Sequence, residues 1–292
     1  SFDNNEYTID STGIDEPILF TKYVNAYLTC GQGKGKVHAP VALDATASGP
    51  QIMACLTGCE KTARAVNLID TGKREDVYTH IVNGMNKVLT EADSVTRKDV
   101  KDPFMTHWYN SVAGPREAFN ELQLEAFYNE LGDEFPGAEA YMDIINELWT
   151  DKDEFSWTLP DGHVAVVRTK IIETATINVT EDVSFEYDYA VYTANGNSKH
   201  LVANITHSVD GWVVREMIRR CDFQVATIHD SFWCHPNNMM KMAQVYREIL
   251  ADLAESNLLQ DILSEIAGYP VKVEKSSSIL GNLIRKSVYA LS

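Results

Sequence analysis

Several hallmarks of common protein classes are absent from this chain of 292 residues. No apolar run approaches the roughly 20 residues that a membrane-spanning helix needs, and no basic region followed by an apolar stretch opens the sequence. The five cysteines form an odd set without CxxC spacing, which is typical of reduced intracellular thiols. We therefore expect a soluble protein without a membrane partner.

Basic residues are also scarce. The chain has 25 Lys and Arg against 42 Asp and Glu, which gives a formal net charge of -17. Binding to a phosphate backbone depends on a surplus of cationic side chains that release counterions. The composition therefore argues against a simple nucleic-acid-binding module, although it leaves room for a basic channel inside an acidic shell or for a basic partner chain.

The hydrophobic pattern divides the chain into two apolar strands and several helical blocks. One strand closes at Asp44 and the other at Asp230, whereas 61–150 has a helical pattern and 155–192 alternates in the manner of antiparallel strands. The predicted helices are 49–58, 75–89, 117–131, 138–148, 199–220 and 237–256, and the predicted turns are 31–35, 160–162 and 195–197.

Asp44 and Asp230 are the first candidates for chemistry. A carboxylate at the exit of a buried strand is costly to desolvate unless it binds a cation. Two such carboxylates side by side would hold a pair of Mg²⁺ ions about 3.5–4 Å apart, as an in-line nucleotidyl transfer requires. The alternative is that they are two unrelated strand-end or turn aspartates.

A cationic stripe is the second candidate. Arg97, Lys101 and Tyr109 lie at multiples of four residues, which places them along one side of a continuous helix. Two cations followed by a ring would grip a triphosphate and cover its sugar and base. Pro103 is expected to bend this helix or to begin a new one capped by Asp102. The alternative is a solvated amphipathic helix with an incidental basic face.

Taken together, these segments resemble the motifs of the bacteriophage-type single-subunit RNA polymerases, which are related to family A DNA polymerases. The resemblance covers roughly 17–292, and its strength lies in the order and spacing of the motifs. The matching segments are 44–51 (Asp-Ala-Thr-Ala-Ser-Gly-Pro-Gln, motif A), 64–68, 97–111 (motif B), 157–162 (a strand and turn before a hairpin), 207–211 (His-Ser-Val-Asp-Gly) and 229–232 (His-Asp-Ser-Phe, motif C).

The resemblance implies a metal site in which Asp44 and Asp230 hold two Mg²⁺ ions. The backbone carbonyl of Ala45 would be a further ligand. Arg97 and Lys101 would bind the incoming triphosphate, with Lys101 placed to neutralise or protonate the leaving group.

The resemblance also implies roles for one tyrosine and two histidines. Tyr109 would stack on the nascent base pair and help to select ribose. His207 would approach either the minor groove or the ribose 2′-hydroxyl, the group that distinguishes RNA precursors from DNA precursors. His229 would position the motif C turn. Without its motif, His207 would be interpreted as a structural histidine.

This sequence departs from the family pattern in motifs B and C. Asn110 stands where a glycine usually follows the motif B tyrosine, and Thr-His-Trp precedes Tyr109 where smaller residues are common. Both departures put the ribose-selecting geometry in question. Motif C has Ser231 after its aspartate, where DNA polymerase relatives typically have glutamate, and this favours an RNA polymerase.

The implied fold is α+β: a right-hand polymerase palm, with a small antiparallel sheet flanked by helices, and a reduced, mostly helical fingers domain. We expect 1–60 and 200–292 to form the palm and 61–199 the fingers, with a β-hairpin region at about 156–198 that by position would contact promoter DNA. Motif A begins at residue 44, whereas the family has several hundred residues before it. A palm this short would expose a sheet face and a strand edge.

The expected protein is the catalytic large subunit of a heterodimeric phage RNA polymerase II. Its partners would be NTPs, nascent RNA, a DNA template (possibly single-stranded) and a second subunit that supplies the missing parts. It would act in the cytoplasm of an infected bacterial cell. The alternatives are a domain of a longer enzyme, a family A DNA polymerase fragment, and a non-catalytic scaffold or transcription factor.

Overall fold

A computed structural model describes residues 17–31, 39–148, 150, 152–180, 183–193 and 199–292. Most of the predicted turn at 31–35 and the predicted turn at 195–197 lie outside the described residues. The α-helices of the described part are α1 Pro17–Gly31, α2 Ser48–Thr57, α3 Glu60–Ala65, α4 Val77–Val88, α5 Arg97–His107, α6 Ala113–Ala118, α7 Glu121–Glu134, α8 Pro136–Glu147, α9 Lys199–Arg220, α10 Met239–Glu255, α11 Leu258–Ala267 and α12 Leu280–Arg285. The strands are β1 Val41–Asp44, β2 Glu154–Thr158, β3 Val164–Arg168, β4 Lys170–Asn178, β5 Ser184–Tyr192, β6 Val225–Ile228 and β7 Ser231–Cys234.

The two predicted apolar strands meet in one antiparallel sheet with the order β1-β7-β6. Its register places Leu43 and Thr227 on either side of Phe232, on the face that packs against the helical core. Because successive side chains of a strand alternate between faces, Asp44 and Trp233 lie on the opposite face. The sheet therefore has one buried face and one that carries Asp44.

Helices form most of the core. Buried aromatic side chains from the middle block contact one another edge to face, as Phe104 does with Trp108 and with Phe135. The helix predicted for 117–131 is wrong at its start, because Asn120 caps a new helix, α7, by accepting a hydrogen bond from the amide of Gln123. None of the described helices combines the length and apolar character needed to cross a bilayer.

The region predicted to alternate contains two separate hairpins, β2–β3 and β4–β5. The turn predicted at 160–162 joins the first pair, and Gly162 takes a φ of 80°, which favours glycine. Asp161 in this turn forms an ion pair with Arg215 of α9. Mixed helices with small antiparallel sheets confirm the α+β class, and the division into palm and fingers stays a prediction.

Candidate active site

The sheet brings Asp44 and Asp230 together. Asp44 is the last residue of β1 and is paired in register with Ser231, the first residue of β7. Asp230 immediately precedes Ser231, and its carbonyl oxygen accepts a hydrogen bond from the amide of Ala45 at 3.2 Å. Since neighbouring strands lie about 4.8 Å apart, the two aspartates stand beside each other at one end of the sheet.

The backbone that carries Asp44 is held from both sides. Ala45 is buried, and besides its bond to Asp230 it forms an isolated antiparallel bridge with Leu291. The amide of Ser292 donates to the Asp44 carbonyl oxygen at 2.9 Å. Residues 291 and 292 therefore extend the pairing beyond β1, a contribution that the sequence motifs did not indicate.

The tight turn between β6 and β7 sets the position of Asp230. His229 and Asp230 are the two residues between the paired positions Ile228 and Ser231. His229 has a φ of 52°, a left-handed conformation that is uncommon for a residue with a side chain. Such conformations persist only where the surrounding structure imposes them. The turn agrees with a positioning role for His229, which stays a prediction.

Helix α5 differs from the predicted stripe in two ways. It runs from Arg97 to His107 without a break at Pro103, and Thr96 rather than Asp102 caps it, in a capping box with Asp99. The expectation of a new helix at Pro103 is therefore wrong, because this proline is the seventh residue of α5 and the helix continues past it to His107.

Tyr109 lies beyond the end of α5, so the continuous helical stripe was wrong at its last member. His107 ends the helix in the core, where its ring nitrogen contacts Glu139 at 2.9 Å. Trp108, which follows, is buried. His107 and Trp108 thus fix the C-terminal end of α5 in the core, and Tyr109 lies in the turn that follows.

The backbone at Asn110 explains how asparagine can stand where the family usually has glycine. It adopts a φ of 61°, the left-handed region in which glycine is usual and asparagine is the best tolerated substitute. Its side-chain amide donates to Asn146 Oδ1 at 3.1 Å. Asn110 therefore supplies the backbone conformation that a glycine would supply.

Tyr109 and His207 form a stacked pair. Their ring centroids are 4.5 Å apart and their planes differ by 8°. Burial, and the charge of nearby His229, lower the pKa of His207, which favours its neutral form. Burial raises the pKa of Tyr109 to about 12, with further contributions from Asp210 and Asp230. The structure thus gathers the predicted tyrosine and both predicted histidines beside Asp230.

Asp210 is a third carboxylate at the site, and the sequence argument gave it no role. It accepts a hydrogen bond from Ser48 Oγ at 3.4 Å. Burial and the neighbouring charge of Asp230 raise the pKa of Asp210 to about 7. The available signal was its position three residues after His207, which places both on one side of α9.

Ser48 links this carboxylate to the tyrosine. It lies within motif A, opens α2, and is hydrogen-bonded to the Tyr109 hydroxyl as well as to Asp210. A Cβ atom at Gly49 would lie 3.6 Å from that hydroxyl, so the ring packs closely on the first turn of α2. Motifs A and B and the histidine motif therefore meet at one point.

The predicted phosphate-binding cations lie on the neighbouring part of α5. Arg97 Nε is 2.8 Å from Asp76 Oδ2, and its guanidinium lies 4.8 Å from the centre of the Tyr78 ring. With Thr46 of motif A, Arg97 lines a cavity of about 140 Å³. Lys101, one turn further along, is exposed to solvent.

The charges of Arg97 and of Asp230 both act on Tyr78. Burial raises its pKa, the charge of Arg97 opposes that rise, and the charges of Asp76 and Asp230 add to it. Arg97 and Asp230 therefore both lie within electrostatic range of one side chain. A triphosphate entering here would have to replace Asp76 as the partner of Arg97.

The donor set suits a hard divalent cation. Asp44 and Asp230 lie beside each other at one end of the sheet, and burial, together with the charge of nearby Asp230, raises the pKa of Asp210. Carboxylate and carbonyl oxygens are the ligands that Mg²⁺ prefers.

Comparison with known proteins gives one consistent result. A family model described as DNA-dependent RNA polymerase matches residues 23–151 and 150–287, which is most of the chain. DNA-directed RNA polymerase 3, chloroplastic, of Nicotiana sylvestris is 25% identical over 284 residues, covering 80% of this chain. DNA-directed RNA polymerase 1, mitochondrial, of Arabidopsis thaliana is 25% identical over 274 residues, covering 77% of this chain.

Most of these relatives are much longer than the region that this chain matches. The chain spans 29% of the Nicotiana sylvestris protein and 28% of the Arabidopsis protein. It spans 84% of DNA-directed RNA polymerase 2A of Nicotiana tabacum, with 24% identity over 280 residues. The similarity therefore covers a part of most of these relatives, and the residues matched by the family model include all of the motifs discussed above.

Proposed function

Because the chain belongs to the DNA-dependent RNA polymerase family, as its motifs suggested, we propose that it is the catalytic subunit of a DNA-directed RNA polymerase. It extends the 3′-hydroxyl of an RNA with NTPs along a DNA template, during phage transcription in the cytoplasm of an infected bacterium. The observation that carries this proposal is that Asp44, at the end of β1, lies beside Asp230, in the turn before β7, next to the stacked Tyr109 and His207.

Asp44, Asp230 and the carbonyl oxygen of Ala45 would hold two Mg²⁺ ions. When bound, such ions activate the attacking hydroxyl and stabilise the departing pyrophosphate. Asp210 adds negative charge beside Asp230 and strengthens the attraction for cations. The reaction therefore depends on carboxylates that neighbouring strands and α9 hold in fixed positions.

Arg97 and Lys101 bind the triphosphate of the incoming NTP. Arg97 exchanges Asp76 for phosphate oxygens, and Lys101 neutralises or protonates the pyrophosphate as it leaves. Tyr109 covers the nascent base pair. His207, whose lowered pKa keeps its ring neutral, can donate or accept a hydrogen bond at the ribose 2′-hydroxyl.

A second subunit completes the palm in this proposal. The face of the sheet that carries Asp44 borders an open cavity of about 640 Å³, lined by Ala226, Ile228 and Trp233 among others. Ile228 is 61% exposed at the end of β6, which is an edge strand. An apolar sheet face with an open edge favours coverage by further polypeptide.

Nucleotide incorporation tests the catalytic assignment. Purified with whatever chain accompanies it, the protein should extend an RNA primer on single-stranded DNA with NTPs and Mg²⁺. Asp44→Asn and Asp230→Asn should each reduce incorporation at least a thousandfold. Asp222→Asn is the matched control, because Asp222 is an exposed aspartate paired with Lys241. Retained activity in either active-site variant would refute the assignment.

Sugar selection tests the choice of RNA over DNA precursors. NTPs and dNTPs supplied separately should give extension with NTPs, and extension with dNTPs alone would favour the DNA polymerase alternative. Tyr109→Phe should raise the relative use of dNTPs because it removes the hydroxyl next to Ser48. Unchanged discrimination would remove Tyr109 from sugar selection while leaving the metal site unaffected.

A further inference from the structure

The β4–β5 hairpin has one apolar face that no part of the described chain covers. Directly paired residues share a face, and the register pairs Ile171 with Val191, Ala175 with Tyr187 and Ile177 with Phe185. Phe185 is 50% exposed and Tyr187 is 45% exposed. Nine-residue strands make this face about 30 Å long, which is more exposed apolar surface than scattered side chains produce.

The aromatic groups on this face are already organised. The rings of Tyr187 and Tyr189 lie 5.7 Å apart, and the Tyr189 hydroxyl donates to Glu173 Oε2 at 2.7 Å across the strands. The distal part of the other face is polar, as the hydrogen bond from Thr174 to Asp188 at 2.8 Å shows. A two-stranded hairpin is marginally stable alone, so a preformed aromatic face favours a bound partner.

The charge of the hairpin identifies the class of that partner. Between residues 170 and 192 the sequence has one basic residue, Lys170 at the base of the hairpin, and five acidic residues: Glu173, Glu181, Asp182, Glu186 and Asp188. A surface of this charge repels a phosphate backbone. It also repels a second copy of the same acidic hairpin. Interfaces instead match opposite charges around an apolar centre.

We propose that the apolar face of the β4–β5 hairpin docks a separate polypeptide whose surface is apolar at its centre and carries lysine or arginine at its rim. The expectation that this region contacts promoter DNA stays a prediction, and the present proposal names a protein as the partner of the apolar face. The inference goes beyond the proposed catalytic function, because it stands on the hairpin alone.

Photo-crosslinking tests this interaction in cells of the natural source. The photoreactive residue p-benzoylphenylalanine replaces Tyr187 on the apolar face or, as the matched control, Thr176 on the opposite face. Position 187 should give one discrete protein adduct that position 176 does not give. A nuclease-sensitive adduct, an adduct with a second copy, equal adducts at both positions, or no adduct would each overturn the proposal.

Binding of the adduct protein, once identified and purified, tests its chemistry. Tyr187→Ser and the charge reversal Glu173→Lys, both on the apolar face, should each weaken binding at least tenfold, and raising the salt concentration should weaken it too. Thr176→Ser should leave binding unchanged. Loss through Tyr187→Ser without any effect of Glu173→Lys or salt would contradict the basic rim. An Asp230→Ala variant should crosslink normally, so failure of docking and failure of catalysis are separable.

Discussion

Gln51 is the residue whose replacement tests how motif A is anchored. It lies in α2, is fully buried, and donates to the carbonyl oxygens of Val66 and Ala290, both at 2.9 Å. The hydroxyl of Tyr246 donates to Gln51 Oε1 at 2.7 Å. One side chain therefore joins α2, α10 and the segment that borders Asp44.

Gln51→Leu keeps a similar volume but leaves three buried polar groups without partners. Each such group costs about 1–3 kcal/mol, and the greater apolar character of leucine offsets about 1–2 kcal/mol. We expect the free energy of unfolding to fall by about 3–5 kcal/mol. Since domains are stable by about 5–15 kcal/mol, the variant should still fold.

Urea denaturation followed by circular dichroism measures this loss. Adding Tyr246→Phe gives the matched comparison, because it removes one of the orphaned groups. Tyr246→Phe should destabilise the wild-type protein by about 1 kcal/mol and stabilise the Gln51→Leu variant. A Gln51→Leu loss below about 1 kcal/mol, or equal effects of Tyr246→Phe in both backgrounds, would refute the reasoning.

Three further predictions concern particular side chains. Asp210→Asn removes a charge beside Asp230 and should raise the Mg²⁺ concentration for half-maximal incorporation about tenfold; an unchanged Mg²⁺ titration would exclude this role. Asn110→Ala should be about 1–2 kcal/mol less stable than Asn110→Gly in urea denaturation, because of the left-handed backbone, and equal stabilities would contradict that strain. The hydrogen bond from Arg215 lowers the pKa of Asp161, so its contribution of about 1 kcal/mol should be present at pH 7 and lost as the pH falls below the ordinary aspartate value of about 3.9. Asp161→Asn should therefore destabilise at pH 7 and matter less at pH 3, and a pH-independent difference would argue against the ion pair.

Local sequence patterns predicted the elements that carry the site. The strands before Asp44 and Asp230 were evident because short apolar runs ended at single carboxylates. The long helix was predicted with both ends correct, at Lys199 and Arg220. The positions of these strands and of this helix depend on residues that are close in sequence, and they can therefore be predicted from one sequence.

Features that depend on tertiary contacts were not predicted. Tyr109 lies beyond the end of α5, and the residue before it, Trp108, is buried in the core. The four-residue spacing does not reveal where the helix ends. Asp210 was within a recognised motif, but its importance arises from Ser48 and Asp230, which are distant in sequence. In the same way, the partnership of Arg97 with Asp76 was not visible from its spacing to Lys101.

The central claim is that Asp44 and Asp230 share a pair of divalent ions. Electron paramagnetic resonance of Mn²⁺ bound with a non-hydrolysable NTP analogue tests it most directly. The proposal predicts two coupled Mn²⁺ ions per chain, and loss of the coupled signal in both Asp44→Asn and Asp230→Asn but not in Asp222→Asn. A signal that persists in either active-site variant, or a single uncoupled ion in the wild-type protein, would contradict the claim.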